Sequence, residues 1–104
     1  MFPPRYTVLS LFESRQGYLA EIARMTGRSS RPRHEWIWIE PRHALTLQPL
    51  TVDGDGHGFR EGRLRRDESR AEFRWASGQI AELRALPPDS LPQPVRGFLE
   101  LHLS

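Results

Sequence analysis

Residues 34–52, HEWIWIEPRHALTLQPLTV, hold two of the three tryptophans and the densest apolar run in the chain. Trp36, Ile37, Trp38 and Ile39 are aromatic or β-branched, the types that fit a pleated, half-buried surface. The run is too short and too rich in such residues for a helix, so it reads as a strand. In a strand Trp36 and Trp38 share one face, and Ile37 and Ile39 share the other. Both faces are then apolar, which predicts a central strand covered on two sides. Pro41 ends it, because proline donates no ladder hydrogen bond. Leu45, Leu47 and Val52 resume an extended pattern, which Pro49 divides or confines to an edge. Core packing is the plainer use of Trp36 and Trp38, and a ligand-stacking platform is the sharper one.

A chain of 104 residues makes one domain, residues 1–104, able to bury roughly two-thirds of its unfolded surface. It has no cysteine, so disulfides and thiolate zinc sites are excluded. No run reaches transmembrane length. The opening MFPPRYTVLSLF has an early Pro-Pro pair and no signal-type apolar region. A cytoplasmic protein with no membrane contact is expected. All fifteen basic residues are arginine, and the formal net charge is only +2. Arginine offers planar, bidentate donors where it clusters. The overall charge alone makes no case for nucleic acid.

Residues 5–9 suit a short strand, and Ser10 to Gly27 an amphipathic helix. Ser10 and Glu13 form a capping-box pair. Leu11, Phe12, Tyr18, Leu19, Ile22, Ala23 and Met25 fall on one helical arc. Gly27 stands where a C-terminal cap belongs. Gly17 is the flaw, since mid-helix glycine costs roughly 1 kcal/mol against alanine. The alternative is a strand over 6–13, a turn at Arg15-Gln16-Gly17, and a second element from Tyr18, where LAEIARM still favours helix.

Residues 17–29, GYLAEIARMTGRS, resemble the first helix and turn of helix-turn-helix repressors. The resemblance implies DNA binding, with a recognition helix starting near Ser29 or Ser30. Pro32 and the strand-like HEWIWIE depart from that pattern and leave no room for three further turns. An amphipathic packing helix is the preferred reading.

The linker 28–33, RSSRPR, together with Arg24 and His34, is a solvated loop or a phosphate-contacting one. At 53–58, Asp-Gly-Asp-Gly-His-Gly is turn chemistry for a hairpin. Its sharper reading is a calcium loop, with Asp53, Asp55, His57, Gly58 and Glu61 at places one, three, five, six and nine. His57 is no oxygen ligand, however, and Leu64 stands where the bidentate Glu belongs. Ala71, Phe73 and Trp75 alternate with Arg70, Glu72 and Arg74 in the cleanest period-two pattern in the chain. FREGRLRR pairs with it across Asp67-Glu68-Ser69, and Ser77-Gly78 turns the chain into QIAELRAL. Arg60, Arg63, Arg65, Arg66, Arg70 and Arg74 are interleaved there with Glu61, Asp67, Glu68 and Glu72. Residues 87–94, PPDSLPQP, form an irregular arm. The tail VRGFLELHL suits a short helix capping the sheet, with Pro94 in its first turn.

No Walker loop, dinucleotide glycine pattern or HExxH occurs, and the four histidines are scattered. The expected fold is therefore α+β: an N-terminal amphipathic helix packed on an antiparallel sheet of four or five strands. An all-β small barrel is the alternative, if 6–13, 18–26 and 96–103 are strands. The expected function is a non-enzymatic binding or adaptor domain of bacterial or phage type, with no cofactor, recognising another macromolecule, foremost a protein. Self-association is compatible with it. A nucleic-acid-binding regulator using the Arg-rich 24–34 segment, or a small ligand-binding or enzymatic barrel, are the alternatives. The candidate macromolecule contacts are Arg24, Arg28, Arg31, Arg33, Arg65, Arg66, Arg70 and Arg74. Trp36 and Trp38 are the stacking candidates. Asp53, Asp55 and Glu61 are the weak metal candidates.

Overall fold

The computed structural model describes residues 6–25, 32–53 and 56–103. Nine strands run in chain order: β1 (Tyr6–Glu13), β2 (Tyr18–Arg24), β3 (Arg33–Ile39), β4 (Ala44–Leu47), β5 (Pro49–Asp53), β6 (Gly56–Phe59), β7 (Gly62–Asp67), β8 (Arg70–Trp75) and β9 (Ile80–Leu86). One helix, α1 (Gln93–Leu103), follows. The strands form a single sheet in the order β4-β3-β2-β1-β9-β8-β7-β6-β5. Every pairing is antiparallel. The two edge strands, β4 and β5, are consecutive in the chain and joined by Gln48, so the sheet curls into a nearly closed barrel. At the crossing the Arg60 amide donates to the Gln48 carbonyl at 2.8 Å. The Gln48 amide donates to Glu61 Oε1 at 2.8 Å.

This corrects the expected N-terminal helix on four or five strands. Residues 10–24 are the end of β1, a turn and β2 instead of the expected helix, and the resemblance to a helix-turn-helix ends with them, because its first helix is strand β2; Gly27 lies outside the described residues. Leu19 faces the barrel interior, whereas Ala20 and Ile22 face α1, and all three are fully buried. A helix there would bury one stripe, but a central strand buries both faces. Burying a Leu or Ile side chain contributes about 1.5–3 kcal/mol. The helix preference of such residues is worth only tenths of a kcal/mol each. Burial decides. The all-β alternative was nearer, with 6–13 and 18–24 as strands, but its third strand, 96–103, is helix.

Gly17 also finds its reason. Ser14 builds the β1–β2 turn, its Oγ accepting from the Gly17 amide at 3.1 Å. A β-carbon on Gly17 would stand 2.3 Å from the Ile39 carbonyl oxygen. A bulge at Leu9 shifts the register of β1. It changes the parity of the strand, so Tyr6, Val8 and Leu11 all pack toward α1 while Phe12 points into the barrel.

The core therefore has two parts. Inside the barrel, Trp36 and Trp38 join Phe12, Leu19, Phe59 and Phe73. Outside it, Val95 and Leu99 of α1 seal Leu11, Ala20, Ile22, Ile37 and Ile39. The alternation of WIWI on β3 is thus used on both faces. The Tyr6 phenol is raised above its usual value by burial, helped by Glu100 and opposed by Arg96 of the helix. Beyond the reach of α1, the outward side of β7, β8 and β9 carries polar side chains into solvent.

Candidate functional site

Strict alternation sets the two sides of β7–β9. Leu64, Ala71, Phe73, Ala81 and Leu83 point inward and are buried. The residues between them point outward, and the strand register arranges them in rows. In the first row Asp67 lies opposite Arg70, Arg70 opposite Arg84, and Arg84 opposite Glu13 of β1. In the second, Arg65 lies opposite Glu72, and Glu72 opposite Glu82. In the third, Arg63 lies opposite Arg74, and Arg74 opposite Ile80. Rows are about 6.8 Å apart, two residues of extended chain.

Three directly opposed pairs in this array carry like charges: Arg70 with Arg84, Glu72 with Glu82, and Arg63 with Arg74. Opposed side chains on neighbouring strands have β-carbons about 4.5–5.5 Å apart, and like charges so placed destabilise a sheet. Arg84 is tied down by an ion pair with Glu13. The guanidinium of Arg63 turns over Gly56 of β6, where a β-carbon would stand 3.5 Å from its Nε. The first two rows floor an open cleft of about 890 Å³, walled by Ser14 and Arg15 of the β1–β2 turn. The β7–β8 turn beside it is held with Glu68 in the left-handed region, at φ 48°.

The sequence-derived candidates divide among several places. Arg65, Arg70 and Arg74 stand together on this face. Arg66 leaves β7 on the inward side, its guanidinium 5.3 Å from the Phe12 ring centroid, and it too lines the cleft. Arg24 and Arg33 are opposed to each other at the far ends of β2 and β3. Arg24 sits 3.9 Å from Glu35, in a groove of about 690 Å³ between α1 and β3–β4. They form no common patch with β7–β9, because β1 separates β2 and β3 from β9 in the sheet. Arg28 and Arg31 lie outside the described residues.

Trp36 and Trp38 are buried in the barrel, at 6% and 3% exposure. Trp38 meets Trp75 edge-on at 5.3 Å, and Trp36 meets His57 at 5.3 Å and Phe59 at 6.0 Å. Their faces are occupied by protein rings. Among the metal candidates, Asp53 ends β5, Asp55 lies outside the described residues, and Glu61 is engaged by the Gln48 amide. Among the described residues no three His, Asp or Glu side chains gather into a metal-binding group.

One further polar knot crosses β1, β2 and β3. The Ser10 hydroxyl donates to Glu21 Oε1 at 3.0 Å, and His34 Nδ1 is 3.8 Å from Glu21 Oε2. The carboxylate stands between hydroxyl and imidazole. That order orients both groups but does not set the imidazole to take the hydroxyl proton, as nucleophile activation requires.

Reasoning from the sequence missed Arg84 and Arg15. The alternation of Ala81 and Leu83 with Glu82 and Arg84 was a usable signal for the first. The place of Arg15 depends on how the β1–β2 turn meets β9, which no local pattern encodes. No protein-family model matches the chain, and no curated protein and no solved structure matches it.

Proposed function

We propose that the protein is a non-enzymatic binding domain that recognises another protein through the outward face of β7–β9. The observation that carries this reading is an outward sheet face with charged side chains of both signs set in rows, with Glu72 and Glu82 directly opposed at its centre. Such a pair weakens a sheet. A partner that places a cation over Glu72 and Glu82 turns that repulsion into attraction.

The signs on the face select the partner class. Arg63, Arg65, Arg70, Arg74 and Arg84 alternate with Glu13, Asp67, Glu72 and Glu82, five cations with four anions. A nucleic acid presents phosphates alone and would meet the opposed Glu72 and Glu82. A protein segment brings both signs. Among the described residues no helix is long and apolar enough to cross a membrane. A cytoplasmic location belongs to the same proposal.

Random-peptide display on the immobilised full chain tests the reading. It predicts enriched peptides of mixed charge. These lose binding to an Arg70→Glu/Arg74→Glu variant and keep it to an Arg24→Glu/Arg33→Glu variant. Labelled duplex DNA and single-stranded RNA, followed by fluorescence anisotropy, should show only weak binding that fades as salt rises. Tight nucleic-acid binding at physiological salt, or peptides indifferent to the Arg70/Arg74 reversal, would overturn it.

A further inference from the structure

We infer that the protein pairs with a second copy of itself through the free edge of β4. This surface lies apart from the β7–β9 face, so the inference stands independently of what that face binds. β4 ends the sheet and pairs with β3. The Glu40 amide donates to the His43 carbonyl at 2.8 Å, which makes Glu40 and His43 a hydrogen-bonded pair. Such pairs alternate with non-bonded ones along an antiparallel ladder. Leu45 and Leu47 therefore bond to β3, and Ala44, Thr46 and Gln48 turn their amide and carbonyl groups to the other side. At Gln48 both groups are used, by Glu61 Oε1 and by the Arg60 amide. At Ala44 and Thr46 they face the open edge.

An open edge is a template for another strand, and proteins guard it with charge, proline or a bulge. The opposite edge is guarded in all these ways. β5 starts at Pro49, shifts register before Thr51 and ends at Asp53. β4, with the sequence ALTL, has none of them. Both its sides are accessible as well. Leu45 faces the interior opposite Trp38, yet it is 39% exposed, and Thr46 on the outer side is exposed. Leu101 of α1, 81% exposed, lines the same groove as Ala44 and Thr46.

The register that uses both edge residues sets Ala44 opposite Thr46 of the second copy and Leu45 opposite its own counterpart on a two-fold axis. Each Ala44–Thr46 pair exchanges both of its backbone bonds. The axis is perpendicular to the sheet, so both helices lie on the same side of the joined sheets, and the two Leu101 side chains flank the new seam. The charges at the ends match. This register brings Arg42 beside Gln48 of the second copy, where the Gln48 amide fixes the Glu61 carboxylate. Glu40 is engaged by His43 within its own turn, at 2.8 Å, so Arg42 is the charge that this turn presents.

Sedimentation equilibrium of the full chain tests the inference. The parent should approach twice its mass of 12.1 kDa as its concentration rises toward millimolar. The Ala44 and Thr46 amides should exchange with solvent more slowly over the same rise. Thr46→Pro removes an edge-facing amide without breaking a bond to β3, and Leu45→Lys sets two like charges on the axis. Each should return the chain to its single mass. Arg42→Glu should weaken the dimer about tenfold, the worth of two rim ion pairs. Leu50→Lys, on β5, should leave it unchanged. A parent that keeps its single mass at millimolar concentration overturns the inference. So does a dimer that survives both edge variants, or one that Leu50→Lys disrupts. Should the edge variants fail to fold, exchange in the parent decides, and rates at Ala44 and Thr46 that do not change with concentration overturn it.

Discussion

Replacing Phe73 by alanine lowers the stability of the barrel by about 4 kcal/mol, within the range found for burying and then deleting an aromatic ring. Phe73 is fully buried. Its ring lies 6.4 Å from Trp38 on β3, 6.1 Å from Phe59 on β6, and 4.7 Å from Trp75 on its own strand. With Trp36 against Phe59 and Trp38 against Trp75, it is one of the side chains through which separate walls of the barrel touch. The barrel closes at Gln48 by a chain crossing rather than by a continuous strand ladder, so side chains must hold its walls together. A domain of this size has roughly 5–15 kcal/mol in all, and the loss removes a large part of it. Denaturant titration followed by tryptophan fluorescence measures it directly, since Trp38 and Trp75 both border the ring. A loss below about 1 kcal/mol would mean the ring is not a contact between walls.

Gly62→Ala should destabilise by about 2–3 kcal/mol, the size of an overpacked core, and lower the melting temperature by about 10–20 °C. The sign is informative, because alanine in place of a strand glycine ordinarily stabilises by roughly 0.5–1 kcal/mol. At Gly62 the new β-carbon would stand 2.4 Å from the Arg74 carbonyl oxygen and 2.6 Å from the Phe73 ring. The first is backbone in the β7–β8 ladder and the second is the ring just described. Neither can retreat without opening the pairing or the core. A differential scanning calorimetry trace with an unchanged or raised midpoint would contradict the close approach of β7 and β8.

These sites show how much could be read from residues alone. The WIWI alternation placed Trp36 and Trp38 on one face of β3 and Ile37 and Ile39 on the other, as observed. Alternation around Phe73 likewise separated the inward residues of β8 from Arg70 and Arg74. The turn at Asp67-Glu68-Ser69 and the C-terminal helix with Pro94 in its first turn were legible, because turn chemistry and proline geometry are local. The LAEIAR segment was not. Its alanines, glutamate and leucine favour helix locally, and only pairing with both β1 and β3 makes it a strand. The extended run through Leu45, Leu47 and Val52, divided at Pro49, was also legible, as was the hairpin that follows it; that its two halves, β4 and β5, belong to opposite edges of one sheet was not. The site was half legible. Arg65, Arg70 and Arg74 follow from period two. The like-charged opposition of Arg70 with Arg84 and of Glu72 with Glu82 depends on a register that the turn before β9 sets, through the Trp75 amide donating to the Gln79 carbonyl at 2.8 Å.

The central claim is that the outward face of β7–β9 is shaped for a partner rather than for the fold. Thermal unfolding of an Arg74→Thr/Glu82→Thr double variant in low salt tests it most directly. The exchange removes one charge of each sign, so the net charge is unchanged, and threonine suits a strand. It deletes one member of two opposed like-charged pairs, Arg63 with Arg74 and Glu72 with Glu82. The attractions lost are the more distant ones, about 7–8 Å apart: Arg74 with Glu72 and Glu82 with Arg84 along their strands, and Arg74 and Arg70 with Glu82 on the diagonal. A face under internal repulsion predicts a variant that melts no lower than the parent, with any gain shrinking as salt screens the charges. A variant that melts below the parent would show that these charges hold the sheet together, and the reading of the face as a recognition surface would lose its ground.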